Sequence, residues 1–255
     1  MNVLVCVKRV PMVGARIVLT SDAQEVDTRQ LGFTMSPHEE CAVEEAVRIV
    51  EKFGGVVSVL TLGPAEAAEQ LRDAASIGAT RLIHLKTDGR EWDPIATSRA
   101  ITDWIGRHEA AEEAFDLILF GNEAPDTGDY QVGIRVAHAL RRPIASGIKN
   151  LELSESTALA RRDFRGGDEF FELQLPCVVS VKEGINLPRY PSLPGRMRAK
   201  KAAIEEFEPT WQAGAVTKQA LRVPQATSGR AQILGTGVEA VPALLALLET
   251  LGVLT

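Results

Sequence analysis

The chain has 255 residues, of which 45% are hydrophobic and 24% charged, and a formal net charge of −6. That length and balance exclude wholesale disorder and allow a sizeable buried core, while the acidic surplus argues against a general nucleic-acid binder. Three scattered cysteines (Cys6, Cys41, Cys177) offer no disulfide framework, and no apolar run approaches the ~18 to 20 residues of a membrane helix, so direct membrane insertion is not expected.

In chain order, residues 2–7 read as a first strand that begins almost at Met1 and leaves no room for a signal peptide; a cytoplasmic protein is expected. Lys8 and Arg9 at its end would face a phosphate or, more simply, water. A polar stretch follows with room for a hairpin of short edge strands at 16–20 and 25–28. Ser36, Pro37 and Glu39 then spell a helix start: an N-cap, a proline at the first helical position and a capping-box carboxylate. That helix runs to about Phe53, with Ala42, Val43, Ala46, Val47, Ile49 and Val50 on one face and Glu44, Glu45, Arg48 and Glu51 on the other. Strands at 56–62 and 81–85 alternate with helices at 65–77 and 94–107, and this alternation with Gly-containing turns predicts a mostly parallel sheet covered on both faces.

A short apolar strand at 115–120 leads into Gly121-Asn122-Glu123-Ala124-Pro125-Asp126-Thr127-Gly128-Asp129-Tyr130-Gln131-Val132-Gly133, and a helix follows from Gln131 to Leu140. This is a strand-to-helix crossover. In a parallel sheet such loops lie where ligands bind, with helix N-termini offering unpaired N–H groups to a phosphate. The glycines allow close approach, and Asp126, Thr127 and Asp129 are helix-cap residue types. A capped surface loop is the plain alternative. Beyond it, strands are expected at 148–153, 158–162, 169–175 and 178–182, with a turn at 165–168. Pro188, Pro191 and Pro194 then interrupt regular structure, low apolar periodicity continues to about Gln232, and a helix closes the chain at 238–251. So long an irregular arm suggests wrapping over a partner.

Other chemistries find little support. His38, His84, His108 and His138 are far apart and no Cys-x-x-Cys pair exists, so no metal site is expected. A nucleophilic serine elbow and a Walker loop are absent. Gly235 to Ala240 matches a dinucleotide fingerprint on paper, but too little chain follows to complete a binding unit. The basic run at 196–201 is either a solvated face or a complement to an acidic partner, and Leu193 is either an exposed docking anchor or a tucked-in core residue.

Taken together these segments resemble the beta subunit of electron transfer flavoproteins. The matches, in order, are Val3-Leu-Val-Cys-Val-Lys-Arg-Val-Pro11, Ser36-Pro-His-Glu-Glu-Cys-Ala-Val-Glu-Glu-Ala46, Leu62-Gly-Pro64, Ile77-Gly-Ala79, the loop at 121–133, Leu175-Pro-Cys-Val-Val179, and Asn186-Leu-Pro-Arg-Tyr-Pro-Ser-Leu-Pro194 with Met197 and Ala199-Lys-Lys201. The resemblance implies an α/β fold: a mostly parallel, doubly wound, Rossmann-like sheet with added antiparallel strands and a C-terminal arm. A nucleotide-binding domain at 1–185 and a docking arm with a final helix at 186–255 are expected.

It also implies a heterodimer with an alpha subunit that holds most of an FAD. That flavin takes electrons from flavin dehydrogenases and hands them to an acceptor oxidoreductase, so this chain would be a carrier subunit and not an enzyme. By resemblance a structural AMP would be held by Cys6, Ser36, Pro37, His38, Glu39, Leu62 and the loop from Gly121 to Val132. Tyr190, Leu193, Pro194, Met197, Lys200 and Lys201 would dock dehydrogenases. Departures from the family pattern are Met12 for an aspartate, Ser36 for an asparagine and His38 for an aromatic, the last placing a titratable ring near the flavin. The loop also lacks the usual acidic triplet. Its Gln131-Val132-Gly133 ending occurs in flavin-bifurcating members that carry a second FAD instead of AMP and oxidise NADH. That variant, and a stand-alone adenine-nucleotide-binding stress-type protein, are the alternatives. An ATP-pyrophosphatase type would need a phosphate loop where Lys8 and Arg9 stand.

Overall fold

The computed structural model describes residues 1–12, 14, 17–90, 92–214, 217–224 and 231–254. Its contacts divide the chain into two units, Met1–Ala220 and Leu221–Thr255.

The first unit opens with β1 (Asn2–Val7), β2 (Val10–Pro11) and β3 (Phe33–Thr34), the last two pairing antiparallel. Among the described residues the hairpin expected before Ser36 shows an antiparallel bridge, Leu19 to Val26; Arg16 lies outside them. Helix α1 (Pro37–Phe53) is followed by β4 (Val56–Gly63), a 3-10 turn, α2 (Ala68–Ile77), β5 (Arg81–Lys86), α3 (Pro94–Ala111), β6 (Leu117–Gly121) and α4 (Val132–Leu140). Then come β7 (Ile144–Ile148), β8 (Asn150–Leu153), β9 (Thr157–Phe164), β10 (Gly167–Gln174), β11 (Cys177–Val181), α5 (Leu193–Lys201) and β12 (Glu205–Phe207).

Seven strands form one wholly parallel sheet in the order β12-β5-β4-β1-β6-β11-β7, and β10-β9-β8 form a separate antiparallel sheet. The runs in β1, β6 and β11 are buried along almost their whole length, as strands covered on both faces must be. One apolar cluster lies under α1, α2 and the antiparallel sheet, and a second under α3 and α4. The chain winds outward from β1 through β4 and β5, then returns to place β6 on the other side of β1. Such a reversal of strand order opens a crevice at the carboxyl ends of the two strands that flank it.

The stretch expected to be irregular after Lys182 holds two elements. Ser192 caps α5 by accepting the Gly195 N–H at 3.1 Å, and β12 adds to the sheet beside β5. Arg81 fastens that strand, donating to Glu205 at 2.7 and 3.0 Å and to Glu112 at 2.7 and 3.1 Å. Glu44, placed by periodicity on the solvent face of α1, is 1% exposed, with Arg48 and Arg189 both paired to its carboxylate. The second unit contains a 3-10 turn (Gly237–Ala240) and α6 (Val241–Thr250), none of whose residues is buried.

Candidate functional site

At the crevice beside β1, three segments converge. The first is the start of α1. Ser36, fully buried, takes the Glu39 N–H on its hydroxyl at 3.2 Å, and the Glu39 carboxylate takes the Ser36 N–H at 2.9 Å, a complete capping box with Pro37 in the first turn. Replacing Ser36 with alanine is expected to lower stability by about 1–2 kcal/mol, read as a fall in Tm, since among the described residues no other side chain accepts the Glu39 N–H. An unchanged Tm would show that the cap contributes nothing.

The second segment is the end of β1. The Lys8 N–H donates to Glu39 at 2.8 Å, so one buried carboxylate ties β1 to α1. Burial pushes the Glu39 carboxyl up to about 7 against the opposing pull of the hydrogen bonds from Ser36 and Lys8. Burial, with Glu39 adding to it, also pushes the Cys6 thiol up, so Cys6 stays a protonated, unreactive lining group. The Lys8 side chain stays 41% exposed to water and also has a protein partner. It reaches Asp126 at 2.7 Å and pins the third segment, the loop after β6.

That loop leaves β6 in contact with α1. A Cβ on Gly121 would stand 2.7 Å from Glu39 Cγ and 3.2 Å from both Glu39 N and His38 Cβ, so only glycine fits. At the far end, a Cβ on Gly133 would meet the Phe120 ring and Ser180 Oγ at 3.1 Å. Between them Asn122 donates its N–H to Val181 O at 2.9 Å, and His38 bridges two loops. Its Nδ1 accepts the Glu183 N–H at 2.8 Å, which leaves the ring proton on Nε2, facing Glu123 Oε1 at 3.4 Å.

The expectation that Asp126, Thr127 or Asp129 caps the following helix is not met. Asp126 is taken by Lys8, Tyr130 adopts φ +55, and α4 starts at Val132 after Gln131, whose side chain makes no cap. The first turn of α4 therefore has no side-chain cap, the arrangement in which helix N-terminal N–H groups can receive an anion.

The structure thus brings Ser36, Pro37, His38, Glu39 and the loop residues to one place. Cys6, Leu62 and Val132 pack into the apolar cluster under α3 and α4. Ala124 and Pro125 lie on the loop near its Thr127 and Gly128 turn. Tyr190, Leu193, Pro194, Met197, Lys200 and Lys201 lie apart from this crevice and are all exposed. Leu193 is the first residue of α5 and not part of a loop. His84, read as a core residue, is fully buried and meets Gly63 O at 3.0 Å. Among the described residues no group of three or more His, Cys, Asp or Glu could hold a metal ion. No described helix is long and apolar enough to cross a membrane.

Sequence reasoning missed the Lys8 to Asp126 latch, the Glu183 contact to His38, and the partnership of Glu44 with Arg189. Arg48, four residues along the helix, pairs with Glu44 at 2.6 Å and follows from its spacing; Arg189, 145 positions away, is not marked in the sequence.

Comparison with known proteins agrees with this architecture. Residues 25–211 match the electron transfer flavoprotein domain model. The chain is 37% identical over 210 residues to the electron transfer flavoprotein subunit beta of Bacillus subtilis, covering 82% of this chain and 79% of that one. It is 35% identical over 209 residues to the subunit of the same name from Bradyrhizobium diazoefficiens, covering 81% of each. It is 33% identical over 214 residues to the mitochondrial subunit beta of Oryza sativa subsp. japonica, covering 82% of each. The chain belongs to the electron transfer flavoprotein family, among its beta subunits.

Proposed function

We propose that this chain is the beta half of a heterodimeric, cytoplasmic electron carrier. With an alpha subunit it would enclose an FAD that receives electrons from flavin dehydrogenases and passes them to an acceptor oxidoreductase. Residues 1–185 would hold an AMP of structural role, and 186–255 would dock partners and wrap the alpha subunit. The observation that carries the nucleotide assignment is the convergence of the Gly121 loop, the capped start of α1 and the uncapped start of α4 at the switch point of the sheet.

The residues present fit such a group. Glycines at 121 and 133 let the loop lie against α1 and Phe120, α4 offers free N–H groups to a phosphate, and Cys6, Leu62 and Val132 give an apolar floor. Lys8 neutralises Asp126, which removes one negative charge that would repel the phosphate. The flavin, when bound, supplies the electron-carrying chemistry. This chain's part is to enclose, orient and exclude water, with His38 held in one tautomer by Glu183.

The test is to co-express the chain with its alpha subunit, denature the purified complex and quantify the FAD and AMP released. One of each per heterodimer is expected. Two FAD and no AMP would move the reading to a bifurcating complex, the variant in which the Gln131-Val132-Gly133 ending also occurs. No nucleotide beyond the shared FAD would overturn the loop assignment.

A further inference from the structure

Between β11 and the middle of α5 the chain displays a run of bare apolar side chains. Leu187 is 83% exposed, Tyr190 95%, Leu193 73% and Met197 58%. Large apolar groups held in water on a mobile loop would have to be ordered when a partner arrives, at a cost in free energy for every side chain and backbone bond immobilised. The backbone beneath this patch is already tied to α1. Asn186 Nδ2 donates to Cys41 O at 2.9 Å and to Glu45 at 2.8 Å, and Arg48 Nη2 donates to Leu187 O at 3.1 Å.

Arg189 is the centre of this attachment. Its backbone N–H, Nε and Nη2 donate to the Glu44 carboxylate at 3.1, 2.9 and 3.1 Å, and Nη1 and Nη2 donate to Glu51 at 2.6 and 2.9 Å. A planar guanidinium makes such a two-carboxylate fork and an ammonium cannot. Exposed ion pairs usually contribute little, but here Glu44 is 1% exposed and its carboxylate is shared between Arg189 and Arg48, the latter donating at 2.6 Å, so loss of Arg189 leaves a buried charge with half its partners. The clamp closes on the residue immediately before the most exposed aromatic of the patch.

We infer that Arg189 is a positioning residue for partner docking: by gripping Glu44 and Glu51 it fixes the backbone that presents Tyr190 and Leu193, so that the apolar patch is ordered before a dehydrogenase arrives. This rests on the reading of residues 190–201 as the docking surface. The same clamp ties the docking segment to the helix whose first turn forms the nucleotide crevice, so both sites share one rigid element.

The test uses the complex of this chain with its alpha subunit. A maleimide fluorophore on Tyr190→Cys reports the mobility of the segment, since Cys6, Cys41 and Cys177 are buried. Arg189→Gln in that background is expected to lower the fluorophore's anisotropy. Glu51→Gln, which loosens only the outer half of the clamp and leaves Glu44 covered, is expected to lower it by less. In unlabelled complex, Arg189→Gln is expected to raise the KM for a purified flavin dehydrogenase that reduces the wild-type complex by about tenfold, the change falling on KM and not on kcat. Anisotropy unchanged in both variants would overturn the inference, as would a loss confined to kcat. Leu193→Ala separates the two readings: an unchanged KM there would remove the docking surface itself, while the anisotropy would still decide whether Arg189 holds the segment.

Discussion

Gly121→Ala is expected to give a complex largely stripped of the nucleotide in its beta subunit and destabilised by about 1–3 kcal/mol. The added Cβ would stand 2.7 Å from Glu39 Cγ and 3.2 Å from the Glu39 nitrogen. Those atoms cannot simply step aside, because both carboxylate oxygens of Glu39 are held, one by the Lys8 N–H and the other by the Ser36 N–H. Relief must come from moving the first turn of α1 away from β6, and that movement opens the crevice where the three segments meet. Counting AMP and FAD released on denaturation, alongside Tm, checks both halves. A variant that keeps its full nucleotide while losing stability would show that the close approach serves packing alone.

The second large effect concerns pH. The Glu39 carboxyl is pushed from its ordinary 4.5 up to about 7 by burial, so the folded chain holds a proton there that the unfolded chain releases. For an acid raised in this way, the stabilising contribution is complete below about 4.5 and is lost as pH climbs through about 7. The gap of roughly 2.5 pH units corresponds to about 3 kcal/mol. Urea unfolding of the wild-type chain and of Glu39→Gln, followed by the fluorescence of Trp92, Trp104 and Trp211, should therefore diverge with pH. Relative to the variant, the wild type is expected to lose about 2–3 kcal/mol between pH 5 and 8.5. A constant difference across that range would mean that the carboxyl ionises in the ordinary range despite its burial.

Local chemistry made much of this fold readable. The capping box at Ser36 to Glu39 needs only four adjacent residues, and the alternation of buried runs with amphipathic helices announced a parallel sheet. The crossover after β6 was marked by its glycines. What was hidden depends on partners distant in sequence. The clamp of Arg189 on Glu44 spans 145 positions, so Glu44 looked like any solvent-facing glutamate. Asp126 has the side chain of a helix cap, but Lys8, 118 positions earlier, captures it. Strand β7, Ile-Ala-Ser-Gly-Ile, has little intrinsic strand preference and exists because β11 offers it an edge. Helix α5 is nine residues long and buries only Gly195 and Ala199, so no apolar stripe gave it away.

The three residues of β12 do more than lengthen the sheet. An uncovered β5 would present a row of unpaired backbone donors and acceptors to any strand from another molecule, the usual route to edge-to-edge aggregation. Glu205 to Phe207 fill that edge, and Arg81, gripping Glu205 and Glu112 together, keeps them there. A shortened chain that stops after α5 would keep the crevice beside β1 and the exposed apolar patch yet expose the flank of the sheet. Fragments meant to stay monodisperse should therefore extend through Phe207.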